Sequence, residues 1–542
     1  MMINFFKKNW LIFVILLLAF VLRLWGSWYG LPGLFVGDEK SLVGGALKMI
    51  YQQNILPVLE PDIFRLLYYP TLIPWTYLIF FVPYTIFVYL TGDFGSMAEL
   101  RDFFIMDPSV FFLMARIINV FFATGAVFLV YLVTKKIFTK RAGLMAALLY
   151  GVSFLPIHQG HFSKHWNFGA FFGLLVLYFA FVVLENPKIR NYLWAGLVVG
   201  LAFFSDYVFA LYGVIIVLIH FLFFNQPFKE KLFSKKLWLF VIISLSIAGL
   251  TILTYPQEFE RLAFGEDSTA GSSKDLLEFS KVILEFLKSL YYLATFIFIL
   301  SLIGYLFLFF RNRRLFWILV FLPLLCPFLY YFLLHFEPRY VLLFLPILAI
   351  MAGFGLDQTI KFLGIKSNLV IGLICLVVVF LPLKNAIVFD RMLGQIDTRN
   401  LAKAWLEQNI PIGSRIIVNS WEFNLVKNQQ CLEEQRLTDN MSLRSRDYVM
   451  FSRIFPDSYC VWQLDLIRIL PENIDEYEYY LIDSFTGRRF AYLGEELIKK
   501  GKLIKRFEGA KFDPIEQINT MFIHQRLKDT RLGPTVDIYQ LK

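Results

Sequence analysis

The chain has 542 residues, of which 58% are hydrophobic and 17% charged, with a mean hydropathy of +0.61. Soluble domains carry about 25% charged residues, so the composition excludes an ordinary soluble protein. The net charge of +10 does not point to nucleic acid, because the basic residues lie mostly in short loops between apolar runs, as the positive-inside rule expects.

A spanning helix needs about 20 apolar residues. Suitable runs fall at 10–28, 109–134, 142–158, 166–184, 191–206, 207–224, 237–254, 286–310, 315–334, 339–360 and 368–388. The first follows Lys7 and Lys8 and has no small-residue cleavage site, so it reads as an uncleaved signal-anchor. Another apolar run, 66–91, carries Pro70, Pro74 and Pro83. The basic clusters Lys7/Lys8, Lys135/Lys136, Lys188/Arg190, Lys229/Lys231, Arg311/Arg313/Arg314 and Lys361/Lys366 share one side only if that run makes no net crossing. The segment is therefore predicted to be re-entrant or interfacial. About eleven crossings result, with the N-terminus cytoplasmic and the C-terminus outside.

On this reading residues 1–389 form a mainly α, polytopic membrane domain. The loops 29–66, 158–166, 254–285 and 335–339 then meet on the outer face, with Asp206 in the 205–207 turn. From about 390 the charge rises and apolar runs shorten. Residues 401, 402, 405 and 406 make a helix face, while 416–418 and 479–483 read as short strands. A small extracytoplasmic α/β domain over 390–542 is expected, where Cys431 and Cys460 pair if that part lies outside.

Asp38 and Glu39 are the foremost chemical candidates. They follow Gly37, which permits close approach of a substrate, and an apolar stretch that holds the loop at the membrane surface. A carboxylate there with a raised pKa suits general-base work on a hydroxyl or amine. Arg65 and Tyr69 suit a grip on a lipid phosphate, and Arg339, beside His335 and Glu337, suits a bidentate one. His158, His161 and His165 fall on one face if a single helix carries them; with Lys164 they supply hydrogen bonds and charge to an anionic ligand. No Cys or carboxylate beside the three His completes a zinc set, so no metal or cofactor is predicted. Phosphate-cradling Gly loops, dinucleotide fingerprints and Ser-His-Asp patterns are absent.

The motifs Gly37-Asp38-Glu39, Tyr69-Pro70-Thr71-Leu72, Arg116-Ile117-Ile118-Asn119, Arg141-Ala142-Gly143-Leu144 and Glu337-Pro338-Arg339-Tyr340 running into Leu345-Pro346 resemble, in order and spacing, the lipid-linked sugar transferases of the GT-C superfamily. The closest pattern is the family of protein O-mannosyltransferases and lipid A aminoarabinose transferases. Asp397-Thr398-Arg399 resembles the start of the outer domain of bacterial members. The resemblance implies a plasma-membrane enzyme that moves a sugar from polyprenyl phosphate to a lipid, glycan or protein acceptor on the outer face, with inversion. It implies that Asp38 is the base or acceptor-orienting carboxylate, assisted by Glu39, with Tyr69 and Arg339 near the donor phosphate. Many members carry an Asp in the outer loop after the third span. Here that loop is His161-Phe162-Ser163-Lys164-His165-Trp166-Asn167, leaving His161, Lys164 or Asn167 to stand in. The competing class is a transporter or flippase of a lipid-linked or small anionic substrate, which calls for paired mid-membrane charges and related halves; a scaffold with a partner-binding outer domain is the third.

Overall fold

The computed structural model describes residues 2–64, 67–257, 276–333 and 337–420, and in the C-terminal part 458–464, 469–485, 491–510 and 531–541 with 423, 425, 427, 428 and 431. Arg65, His335 and most of the 254–285 loop, read above as part of the outer face, lie outside the described residues.

The helices in chain order are α1 (Met2–Leu24), α2 (Gly37–Tyr51), α3 (Leu72–Thr91), α4 (Met97–Met106), α5 (Ser109–Ile137), α6 (Lys140–Gly151), α7 (Phe154–Gly160), α8 (His165–Glu185), α9 (Ile189–Ser205), α10 (Gly213–Phe223), α11 (Lys235–Thr254), α12 (Leu276–Arg311), α13 (Arg313–Leu333), α14 (Leu345–Phe362) and α15 (Asn368–Leu393). Among the described residues seven helices are long and apolar enough to cross a membrane, or eight if the bent pair α6–α7 is one span. Further apolar helices, such as α9, are shorter. Every apolar run expected to cross corresponds to one of these helices.

Helix α3 is itself long and apolar enough to cross a membrane. Thr71, just before it, meets Thr254 at the end of α11 at 3.1 Å, and Tyr77 meets Ser163 at 2.6 Å. Further along, Phe81 and Tyr84 meet Phe111 edge to face, and Tyr84 lies tilted against Phe104. Asn119 of α5 donates to the carbonyl of Phe162, so Ser163 lies level with Asn119, while Phe111 lies about two turns nearer the start of α5. The helix thus runs beside the first turns of α5, from the level of the 163 loop toward Phe111. With α2 and the start of α5 it buries Leu42, Ala46, Ile73 and Phe112 in a shared apolar layer.

The opposite face carries the basic loops. Lys136 pairs with Glu185, and Arg141 and Lys361 with buried Asp357. Between the faces, glycines let helices touch backbone to backbone. A Cβ at Gly304 of α12 would lie 2.1 Å from the Met351 carbonyl oxygen of α14.

Beyond α15 the chain forms α16 (Thr398–Asn409), α17 (Ala491–Lys500) and strands β1 (Arg415–Asn419), β2 (Cys460–Gln463), β3 (Tyr479–Asp483), β4 (Lys502–Phe507) and β5 (Val536–Gln540). They make one sheet in the order β2-β1-β3-β5-β4. Strand β1 is parallel to β2 and β3, while β5 is antiparallel to β3 and β4. The apolar face of α16 packs Ala402 and Leu406 on Ile416, Val418 and Ile538. Cys431 and Cys460 form a disulfide.

Candidate active site

Helix α2 begins at Gly37, and a Cβ there would meet nothing within 4 Å, so the approach to the next residue is open. Asp38 and Glu39 both lie in the first turn, where the helix dipole favours a carboxylate. Adjacent helical residues point about 100° apart, and these two part company. Glu39 is fully buried and takes a two-pronged ion pair from buried Arg116 of α5, at 2.8 and 2.7 Å. It also accepts the Ser163 amide at 2.6 Å. Arg116 donates to the carbonyls of Ser27 and Tyr29 at 2.7 and 2.8 Å. Glu39 therefore ties the first loop, α5 and the 163 loop together, and is not directed at an incoming substrate.

Asp38 faces a different set. Tyr69, from the segment entering α3, donates to it at 2.9 Å. The Lys164 ammonium lies 3.4 Å away and the Arg339 guanidinium 3.7 Å away. Lys164 has no exposed side-chain surface, and a buried ammonium needs a counter-charge. Arg339 enters through the 3₁₀ segment Pro338–Leu343 and also pairs with Glu337 at 2.5 Å. Burial by itself raises the pKa of Asp38, but Lys164, Arg339, His165 and the Tyr69 hydrogen bond together hold it well below the usual carboxylate range. The raised pKa expected from the sequence is thus reversed: two cations meet the carboxylate, and it is ionised throughout the neutral range.

The bent pair α6–α7 delivers the next group. A 59° bend at the Val152-Ser153 break carries α7 across the bundle. A short turn then leads into α8, so His158, His161 and His165 are not on one helix. His161 contacts the carbonyls of Ile157 and Trp25 at 2.8 and 2.9 Å and lies 3.1 Å from Asp390, and His158 stacks on Phe389. Both point toward α15 and away from Asp38, which removes His161 from the substrate-binding set. His165 is placed as expected: it stacks on Tyr69 at 4.4 Å and lies 3.5 Å from Asp206.

Asp206 closes α9 and accepts the Val208 amide at 3.2 Å. Burial pushes its pKa up to about 7, the Val208 hydrogen bond opposing the shift. Among the described residues, Asp206 Oδ2, His165 Nδ1, Trp166 Nε1 and Asn167 Nδ2 are buried with no hydrogen-bond partner. Orphaned polar atoms are rare in a folded interior, and four in one neighbourhood suit a polar ligand. Trp166 stacks on Tyr340 at 5.3 Å, which adds an aromatic wall. The site joins a cationic half (Lys164, Arg339) to a polar, aromatic half (Tyr69, His165, Trp166, Asn167, Asp206) around Asp38. No group of three or more His, Cys, Asp or Glu suited to a metal occurs among the described residues. Sequence alone put Asp206 on the outer face with the site loops; its part in the site was hidden because a lone acid in a turn carries no pattern.

Residues 110–252, which span α5 to α11 and include Arg116, Lys164, His165 and Asp206, match the family described as dolichyl-phosphate-mannose-protein mannosyltransferase. No curated protein matches the chain. Among solved structures, the apo oligosaccharyltransferase of Archaeoglobus fulgidus aligns with a TM-score of 0.52 at 11% identity, covering 88% of this chain and 70% of that one. Apo ArnT from Cupriavidus metallidurans aligns with a TM-score of 0.51 at 12% identity, covering 99% and 98%. ArnT bound to undecaprenyl phosphate gives 0.48 at 11% identity over the same shares. The chain has the GT-C glycosyltransferase fold, and through residues 110–252 it carries the sequence pattern of the dolichyl-phosphate-mannose-protein mannosyltransferase family.

Proposed function

We propose that this protein is an integral-membrane glycosyltransferase that takes a sugar from a polyprenyl-phosphate donor and passes it, with inversion, to a lipid, glycan or protein acceptor. The observation that carries the reading is the convergence of Asp38, Lys164 and Arg339 from three separate segments of the chain at one face of the bundle. Lys164 and Arg339 supply the charge a departing phosphate needs, and Asp38, itself held by Tyr69, keeps them in place. The family description names a lipid phosphate sugar donor, and undecaprenyl phosphate, bound to the Cupriavidus protein, is a carrier of that chemical class. The extracytoplasmic face is supported by the Cys431–Cys460 disulfide, since such bonds persist in oxidising compartments.

In this mechanism the acceptor heteroatom attacks the anomeric carbon from the side opposite the phosphate. Asp38, fixed as an anion, orients the acceptor and steadies positive charge on the sugar carbon. Glu39 positions the loops and takes no part in proton transfer. Mass spectrometry of glycolipids, glycans and glycoproteins from cells with and without the protein tests the reading. A product should appear with the wild type and vanish with Asp38→Asn at equal protein abundance. Undiminished product in the Asn variant would overturn it.

A further inference from the structure

Asp38 is poorly suited to remove a proton, because both nearby cations favour its charged form. The proposed transfer still releases one: an acceptor O–H or N–H bond breaks as the bond to the anomeric carbon forms. The phosphate oxygen leaves with the electron pair of the old glycosidic bond. A base is needed within reach of the same space, and it must hold a proton more readily than Asp38 does.

We propose that Asp206 is that base, supported by His165, so that the site divides its work between two carboxylates: Asp38 fixed and anionic, Asp206 proton-accepting. The inference rests on the glycosyltransferase reading above. Asp206 Oδ1 is anchored by the Val208 amide, while Oδ2 is buried and has no hydrogen-bond partner among the described residues. An anchored carboxylate with one free oxygen can take a proton without moving. His165 Nε2 lies 3.5 Å from that free oxygen and fixes its surroundings. The His165 ring lies against Tyr69, whose hydroxyl bonds Asp38, so the two carboxylates flank one Tyr–His stack. No Lys or Arg forms an ion pair with Asp206 among the described residues, whereas Asp38 has two.

Burial places the Asp206 pKa near 7, where a general base is most effective. The charged and titratable groups facing the pair are Lys164 from the α7–α8 turn, Asp38 from α2, Tyr69, and Glu337, Arg339 and Tyr340 from the 3₁₀ segment. Lys164, Asp38 and Arg339 act electrostatically on His165, and Asp206 acts on Tyr340.

The test uses membranes from cells expressing the full chain, which carry their own donor and acceptor, with product followed by mass spectrometry from pH 5 to 9. Wild-type turnover should rise with pH through a limb near 7, because a base must be unprotonated to act. Asp206→Asn should lose about 10²–10⁴-fold in turnover and lose the limb, while binding of undecaprenyl phosphate stays within twofold of wild type. A variant with wild-type turnover and an unmoved limb overturns the assignment. So does one whose entire loss follows weakened undecaprenyl phosphate binding. If Asp206→Asn fails to accumulate, His165→Gln is read by the same limb: a moved limb supports the pair and an unmoved one overturns it. Product absent from wild-type membranes instead removes the glycosyltransferase reading, and this inference with it.

Discussion

The phenol of Tyr29, in the first loop, donates a 2.5 Å hydrogen bond to Asp397, the residue that caps α16 of the C-terminal domain. Around it, Arg399 binds Asp397 at 2.9 Å and lies 3.6 Å over the Phe35 ring, and Asn400 donates to the Leu31 carbonyl at 3.2 Å. The polar domain therefore grips the stretch that leads directly into Asp38. Tyr29→Phe and Asp397→Asn should each lower product formation by about tenfold or more, since small misplacements of reacting groups are costly. Product yield normalised to protein abundance checks this, and yield equal to wild type in both variants would refute it.

Removing one partner of a buried ion pair strands the other charge, at a cost of about 3–5 kcal/mol. Glu39→Gln and Arg116→Met should each destabilise the protein by that order, read as a lower melting temperature in detergent. The paired change Glu39→Leu with Arg116→Leu should regain much of the loss. A Glu39→Gln protein as stable as wild type but inactive would return Glu39 to the catalytic set.

Charge-assisted hydrogen bonds are worth about 1.5–3 kcal/mol, so Lys164→Met and Arg339→Met should each weaken undecaprenyl phosphate binding by about 10- to 150-fold. Arg339→Lys keeps the charge but loses the planar fork, and should fall between. Titration of the lipid phosphate into the protein in nanodiscs measures all three.

The folded-state pKa of Asp38 is lowered, so its stabilising contribution is fully present above the unfolded value of about 3.9 and fades as pH falls below it. The difference in melting temperature between wild type and Asp38→Asn should therefore be flat from pH 5 to 9 and shrink only below about pH 4. A difference that changes around pH 7 would mean that Asp38 titrates there.

The apolar runs were legible in the sequence because lipid requires long uninterrupted helices. Asp38, Tyr69, Lys164, His165 and Arg339 could be nominated because a charged or polar residue beside a span is conspicuous. Which of Asp38 and Glu39 faces the open side was not legible, since that depends on Arg116 lying opposite one of them. The histidine face failed for a local reason: the chain turns between Gly160 and His165, so their helical spacing does not describe their directions. The strands around 416–418 and 479–483 were readable from their apolar runs, whereas β4, the half-exposed Lys502–Phe507, offered no comparable run.

The Cys431–Cys460 bond closes a loop of a size that gives about 3–4 kcal/mol of stabilisation. Replacing both with Ser should lower the melting temperature of the C-terminal domain without altering the protein's insertion. Thiol labelling after mild unfolding, compared with and without reductant, checks that the bond forms.

On the outer-face reading, the stretch that leads into Asp38 is clasped by a residue 368 positions further along the chain. Its final placement therefore waits on the folding of the domain that carries Asp397.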